Sequence, residues 1–200
     1  MLSRKSALRA AAPVAVLALA LTACGGGDDK KSDDKKTDAS TSQNKPAEPT
    51  SLKAGEKTTG KVKEGDVAVT YDVAAEKVDL GTEAETKKLV SDPKQAKGLV
   101  AATAHMKITH KAGAPIKDVP DVADTTEIYA DGTRGGLLIG AAEDAPGCED
   151  DLELEGWKTG ETHTLCQTYL VPTGAKDLEV HWAAKEDGKP TIWKFAAKQK

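Results

Sequence analysis

Val67-Ala68-Val69-Thr70-Tyr71-Asp72-Val73 is the stretch whose reading decides the fold. Val67, Val69, Tyr71 and Val73 alternate with Asp66, Ala68, Thr70 and Asp72, as a strand buried on one face requires. Val100, Ala102, Ala104, Met106 and Ile108 repeat the pattern against Thr103, His105 and Lys107. Asp131-Gly132 has the chemistry of a tight hairpin turn and joins Thr125–Ala130 to Thr133–Ile139. Thr162–Val171 is stopped by Pro172-Thr173-Gly174, Leu178, Val180 and Trp182 alternate with Glu179 and His181, and Asp187-Gly188 leads into Thr191–Phe195. About seven short strands separated by turns predict an all-β sandwich. One helical interruption is expected at Glu83–Val90, capped by Thr82 and ended by Pro93, and its polar sequence suits the edge of a sheet.

All seven aromatic residues fall between Tyr71 and Phe195, which locates one core and one domain, taken as residues 58–200. Within it, Gly98-Leu99-Val100, the Asp131-Gly132 hairpin, Gly160-Glu161-Thr162, Cys166-Gln167-Thr168-Tyr169-Leu170-Val171-Pro172 and Leu178 to Trp182 form an ordered series. That series resembles the immunoglobulin-like domains of actinobacterial secreted proteins and lipoproteins, a group that includes a secreted mycobacterial immunoprotective antigen. The resemblance implies an immunoglobulin-like β-sandwich and an interaction or antigen-type role, and it transfers no site residues. Cys148 and Cys166 stand too close in sequence for the strand-to-strand bridge of an antibody domain, so the likeness stops at architecture.

Upstream, Arg4, Lys5 and Arg9 precede the apolar run Ala10 to Ala20, which is broken only by Pro13. This is the n-region and h-region of an export signal and is too short for a lasting transmembrane helix. Leu21-Thr22-Ala23-Cys24 resembles a lipobox, which implies cleavage after residue 23 and a diacylglyceryl group on Cys24. The alternative is an ordinary secretory signal whose cleavage site lies beside a Cys. Two or more acyl chains anchor a protein stably, at about 0.8 kcal/mol per buried CH₂. The expected location is therefore the extracytoplasmic face of the cell membrane.

Residues 24–57 read as the lipidated Cys and a disordered linker. Asp28-Asp29-Lys30-Lys31, Asp33-Asp34-Lys35-Lys36, a Ser/Thr tract and the Pro46 to Pro49 segment offer almost nothing apolar to bury. A flexible chain of roughly 30 residues spans about 30 Å root-mean-square, enough to stand a domain off a membrane. Once the signal is removed, 25 basic residues face 32 acidic ones, a formal charge of −7. That balance argues against nucleic acid as a partner. With Cys24 assigned to lipid, Cys148 and Cys166 remain as an even pair in an oxidising compartment and are expected to form a disulfide. A redox-active pair or two metal thiolates are the alternatives, but neither C-x-x-C nor a nearby set of further ligands is present.

Enzyme readings lack their parts. From Ala54 onward the only Ser is Ser91, beside Asp92-Pro93 and outside any Gly-x-Ser-x-Gly context. No phosphate-cradling loop or dinucleotide fingerprint occurs, and no cofactor is expected. His105, His110, His163 and His181 are scattered, without a metal-ligand spacing. His105 and His181 both point outward from their strands and would meet only if those strands were neighbours. Glu143-Asp144 and Glu149-Asp150-Asp151 bracket Cys148 but lack the loop pattern of a Ca²⁺ site, and they read as a solvated loop pinned by the disulfide. Trp157 is expected to pack as core beside that bridge. The functional expectation is a non-catalytic binding module on the cell envelope, attached to the membrane by lipid and meeting an envelope protein partner. A small-ligand or metal carrier is the rival reading.

Overall fold

The structure, a computed structural model, describes residues 50–143, 145–154, 156–185 and 188–198. Cys24 and the expected signal segment lie outside the described residues. From Thr50 onward the chain forms two five-stranded sheets packed face to face, an all-β sandwich. One sheet contains β1 (Thr50–Lys53), β5 (Glu127–Ala130), β6 (Thr133–Arg134), β9 (Asp177–Trp182) and β10 (Thr191–Ala196), in the order β1-β10-β9-β5-β6. The other contains β2 (Thr58–Glu64), β3 (Val67–Leu80), β4 (Leu99–Ala112), β7 (Gly136–Leu137) and β8 (Thr162–Pro172), in the order β2-β3-β4-β8-β7.

The folded region starts before residue 58, which corrects the end of the expected linker. Thr50–Lys53 pairs in parallel with Thr191–Lys194, and the Gly55 N–H donates to Ala75 O at 2.8 Å. Trp193 Nε1 donates to Glu56 O at 2.7 Å. Only Leu52 of β1 packs on the core, so a strand with one apolar anchor carries little signal in its own composition.

The segment Thr133–Ile139 also differs from expectation. In place of a single hairpin arm it divides at Gly135: Thr133–Arg134 pairs with β5, while Gly136–Leu137 pairs with β8 in the other sheet. A Cβ at Gly135 would lie 2.7 Å from Leu170 O, so the chain crosses between sheets where only glycine can pass that carbonyl. The turn before it holds Asp131 at φ 47° and Gly132 at φ 78°, the left-handed pair that the Asp-Gly dipeptide supplies.

The helix α1 (Glu83–Leu89) is closed by a capping box. Thr82 Oγ1 accepts from the Glu85 N–H, and Glu85 Oε2 accepts from the Thr82 N–H. Its buried residue is Thr86, whose Oγ1 accepts the Ala101 N–H at 2.8 Å and ties α1 to the start of β4. Pro93 opens a short 3₁₀ turn, Pro93–Ala96, before β4 begins.

Between the sheets lies one core that includes Tyr71, Met106, Ile108, Trp157, Tyr169 and Trp193. Each buried tryptophan and tyrosine polar atom among the described residues has a partner. Trp182 Nε1 donates to Val122 O at 2.8 Å, Trp157 Nε1 to Glu161 O at 3.1 Å, and Tyr169 OH to Thr126 O at 2.8 Å. The rings thus bury their apolar area without stranding a donor.

Two measurements follow from this packing. A Cβ at Gly60 on β2 would overlap the Trp182 ring, which is held by its bond to Val122 and cannot retreat. Gly60→Ala is expected to cost about 1–3 kcal/mol, read from the urea unfolding midpoint. Glu64 accepts from Tyr71 OH and from the Asp121 N–H, both at 2.7 Å. Burial raises its pKa above the ordinary 4.5, assisted by the charges of Asp121 and Asp124 and opposed by the two hydrogen bonds. Between 4.5 and the raised value, the folded chain keeps a proton that the unfolded chain has released, so this group lowers stability as pH rises through that window. Urea midpoints of wild type and Glu64→Gln, compared from about pH 4 to about pH 7, should show this decline in wild type only.

Candidate functional site

The ladder between β4 and β8 places His105 directly opposite Cys166. Ala104 and Met106 turn into the core, so His105 between them points to the outer face of its sheet. Outward does not mean exposed here. The segment that carries Cys148 folds over this face and is joined to β8 by the Cys148–Cys166 disulfide, with Cα atoms 5.7 Å apart, and His105 is only 2% exposed.

Both ring nitrogens of the imidazole have close neighbours. Nδ1 lies 3.5 Å from Cys166 Sγ and 3.7 Å from Cys148 Sγ, while Nε2 lies 3.0 Å from Asp79 Oδ2. Asp79 also receives Lys77 Nζ at 2.6 Å. A register shift between Ala75 and Lys77 leaves Glu76 as a bulge and sets Lys77 opposite His105. Burial, followed by the nearby Lys77 ammonium, holds His105 below the ordinary histidine pKa. Asp79 pulls the other way but shares its charge with Lys77, so the imidazole favours its neutral form.

The covering segment is fixed at several points besides the disulfide. The Cys148 N–H donates to Ala145 O at 3.0 Å, and the Glu149 N–H to Thr164 O at 2.9 Å. Glu149 Oε1 accepts from the Thr164 N–H and Oε2 meets His163 Nδ1, both at 2.7 Å. Burial alone would raise Glu149, but these two bonds hold it below the ordinary carboxylate value. Asp150 caps the turn Asp151–Glu153 by accepting the Leu152 N–H at 2.9 Å. Two carboxylates of the acidic run are therefore committed to holding the segment in place, while Asp144 lies outside the described residues.

Beside the disulfide opens a cleft of about 300 Å³, with Leu137, Ile139, Asp124, Glu143, Asp151 and Cys166 among its walls. Ile139 is 91% exposed, and Leu152 stands out from the neighbouring turn at 63%. Desolvation, together with the charges of Asp121 and Asp151, raises the Asp124 pKa. The cleft thus combines bare aliphatic side chains with concentrated negative charge.

His105 and His181 do not meet. β4 and β9 belong to different sheets, and each histidine points outward from its own, with the core between them. His181 stacks on Tyr129 with ring centroids 4.1 Å apart and its Nε2 is 2.9 Å from Glu179. His110 instead points inward, with Nδ1 3.3 Å from Trp157 O and Nε2 buried without a hydrogen-bond partner. Trp157 is buried, and its ring partners are Tyr71, His110 and His163. Sequence reasoning missed Asp79 and Lys77, which the bulge at Glu76 brings beside His105. It also missed Leu137 and Ile139, which the sequence places in the second arm of the Asp131-Gly132 hairpin. Among the described residues no helix is long and apolar enough to cross a membrane.

The disulfide closes a loop with a sequence separation of 18 residues, for which chain entropy gives about 3 kcal/mol. A Cys148→Ala/Cys166→Ala double variant should lose roughly that amount in urea unfolding. It should also accelerate proteolysis between residues 140 and 151, where the covering segment would open first.

Two solved structures are similar to this chain. MPT63, a secreted protein from Mycobacterium tuberculosis, is 14% identical with a TM-score of 0.46, covering 76% of this chain and 99% of that one. A candidate lipoprotein from Staphylococcus aureus is 11% identical with a TM-score of 0.45, covering 70% of this chain and 93% of that one. No protein-family model matches the chain, and no curated protein matches it.

Proposed function

We propose that this protein is a lipid-anchored, extracytoplasmic binding module, held on the outer face of the cell membrane by Cys24 and recognising an envelope protein through the cleft beside the disulfide. The observation that carries the reading is the composition of that cleft. Leu137 and Ile139 leave aliphatic surface in water next to Asp124, Glu143 and Asp151, on a segment pinned to a rigid sheet. Exposed aliphatic side chains grouped beside a polar rim mark interaction surfaces. The negative rim selects a partner segment that is itself apolar and basic, since opposite potentials steer the encounter and exclude acidic competitors. The role is non-catalytic on this reading: a pinned recognition surface needs no nucleophile, and the sequence has no hydrolase serine context or cofactor fingerprint. The anchor rests on the lipobox resemblance at Leu21-Thr22-Ala23-Cys24, and the charged, Ser/Thr-rich linker sets the reach of the domain.

The rival class is a small-ligand carrier, favoured by the volume of the cleft, which stands at the lower end of the range for small-molecule pockets. The experiment is in-cell crosslinking of the full-length protein, followed by capture and mass spectrometry, with Cys24→Ser as the unanchored control and Ile139→Asp as the surface variant. A reproducible envelope partner is expected that is lost in the control. Ile139→Asp should weaken its capture about tenfold, the effect of roughly 1.4 kcal/mol at an interface anchor. Capture insensitive to both substitutions would sink the reading. A thermal shift on adding small solutes, with no partner captured, would support the carrier instead.

A further inference from the structure

His105, Cys148 and Cys166 offer three metal-ligating atoms within 4.8 Å of one another. We propose that, when the disulfide is reduced, these residues form a binding site for a thiophilic divalent cation, with Asp79 as the positioning residue that orients the imidazole. The same cluster would then have two states, a covalent bridge and a bis-thiolate metal site.

Four observations carry the proposal. First, Nδ1 of His105 faces both sulfurs, at 3.5 and 3.7 Å. Tetrahedral coordination, with Zn–S about 2.3 Å and Zn–N about 2.0 Å, separates nitrogen and sulfur donors by about 3.5 Å. The imidazole already stands at that separation from each sulfur, so only the two sulfurs must part. Second, Nε2 lies 3.0 Å from the Asp79 carboxylate. A metal-bound histidine characteristically donates its other ring N–H to a carboxylate, which fixes the tautomer and directs the free nitrogen lone pair at the ion. Here that arrangement points Nδ1 at the sulfurs. Third, reduction need not scatter the ligands. Cys166 and His105 are fixed by the β4–β8 ladder, and Cys148 is flanked by Glu149, whose backbone and side chain both bond to Thr164. Fourth, Cys166 lines the cleft, so one ligand-bearing residue of the cluster borders an opening to solvent.

The chemistry balances as follows. A dithiol reductant, of the kind carried by extracytoplasmic thiol–disulfide oxidoreductases, donates two electrons and two protons to the Cys148–Cys166 bond. It leaves as its own disulfide and yields two cysteine thiols. The divalent cation then displaces the two thiol protons, and neutral His105 supplies the third donor pair. Exchange with the disulfide form of such an oxidoreductase, which takes up the two electrons and two solvent protons to become a dithiol, would restore the Cys148–Cys166 bond and release the ion, because the bonded sulfurs no longer carry thiolate charge.

The test uses the full chain with Cys24→Ser, so that no third thiol competes. The protein is reduced with a phosphine and titrated anaerobically with Co²⁺, then with Zn²⁺. Expected is a thiolate-to-cobalt charge-transfer band in the near ultraviolet that saturates at one equivalent per chain and is bleached by Zn²⁺. The oxidised protein should give no such band. Cys148→Ser and Cys166→Ser should each abolish it, and Asp79→Asn should weaken Co²⁺ binding by about 10- to 100-fold. His105→Ala should weaken it further than that.

Tryptophan near-ultraviolet circular dichroism reports folding in every sample. If the reduced chain unfolds without metal, recovery of its native spectrum on adding Zn²⁺ supports the site, and failure to recover overturns it. A natively folded, reduced protein that gives no charge-transfer band also overturns the proposal. So does a band of undiminished affinity in His105→Ala, which would mean that the two thiolates bind the ion without the imidazole.

Discussion

The antiparallel register of β4 against β8 is the constraint on which the rest of the structure depends. It sets Ala102 opposite Tyr169 and Ile108 opposite His163, and in the same ladder it sets His105 opposite Cys166. Side chains alternate between the two faces of a strand, so a slip of one residue would expose the core row and bury the outer one. Core packing therefore enforces the pairing of the site: Met106 cannot face inward unless His105 faces outward toward the cysteine. A second ladder, β3 against β4, adds Asp79 and Lys77 to the same outer face by way of the bulge at Glu76.

The outer face of this sheet is unusual in being roofed over. In a two-layer sandwich the inner rows carry most of the apolar burial, and the outer rows commonly meet solvent. Here the segment that crosses above β4 and β8 seals His105 from water and leaves a cleft along its margin. Because that segment is short of buried apolar residues, it is held by other means: the disulfide, the paired bonds between Glu149 and Thr164, and the Asp150 cap. Polar and covalent restraint replaces hydrophobic packing, which frees Leu137, Ile139 and Leu152 to remain exposed. The cleft and the sulfur–imidazole cluster are thus products of one local device. The cleft draws its position from the restraints, and the cluster lies beneath them.

Burial and charge act together at Glu64 and at His105. Glu64 is drawn into the core margin by Tyr71 and Asp121, and loss of water raises its pKa despite two good donors. His105 is pushed the other way by the same loss of water, with Asp79 divided between it and Lys77. In each case a nearby partner fixes geometry more effectively than it stabilises the charged form, which is the usual consequence of desolvation at a buried ionisable group.

What the sequence determined by itself was whatever depends on local periodicity and local turn chemistry. The alternation through Val67–Val73 and Val100–Ile108 specified half-buried strands, Asp131-Gly132 specified a left-handed turn, and Thr82 with Glu85 carried the helix cap. The outward direction of His105 was legible too, because a strand's period is 2. The tertiary structure decided what depends on pairing across long separations. It assigned β4 and β9 to different sheets, so that His105 and His181 lie apart, and it recruited Thr50–Lys53 as a strand by pairing it with β10. It split Thr133–Ile139 at Gly135, where the chain squeezes past Leu170 O. Above all it joined His105 to Cys166, Cys148 and Asp79, residues with no shared motif or spacing. Alternation tells a side chain which way to point, but only register and sheet order decide what it points at.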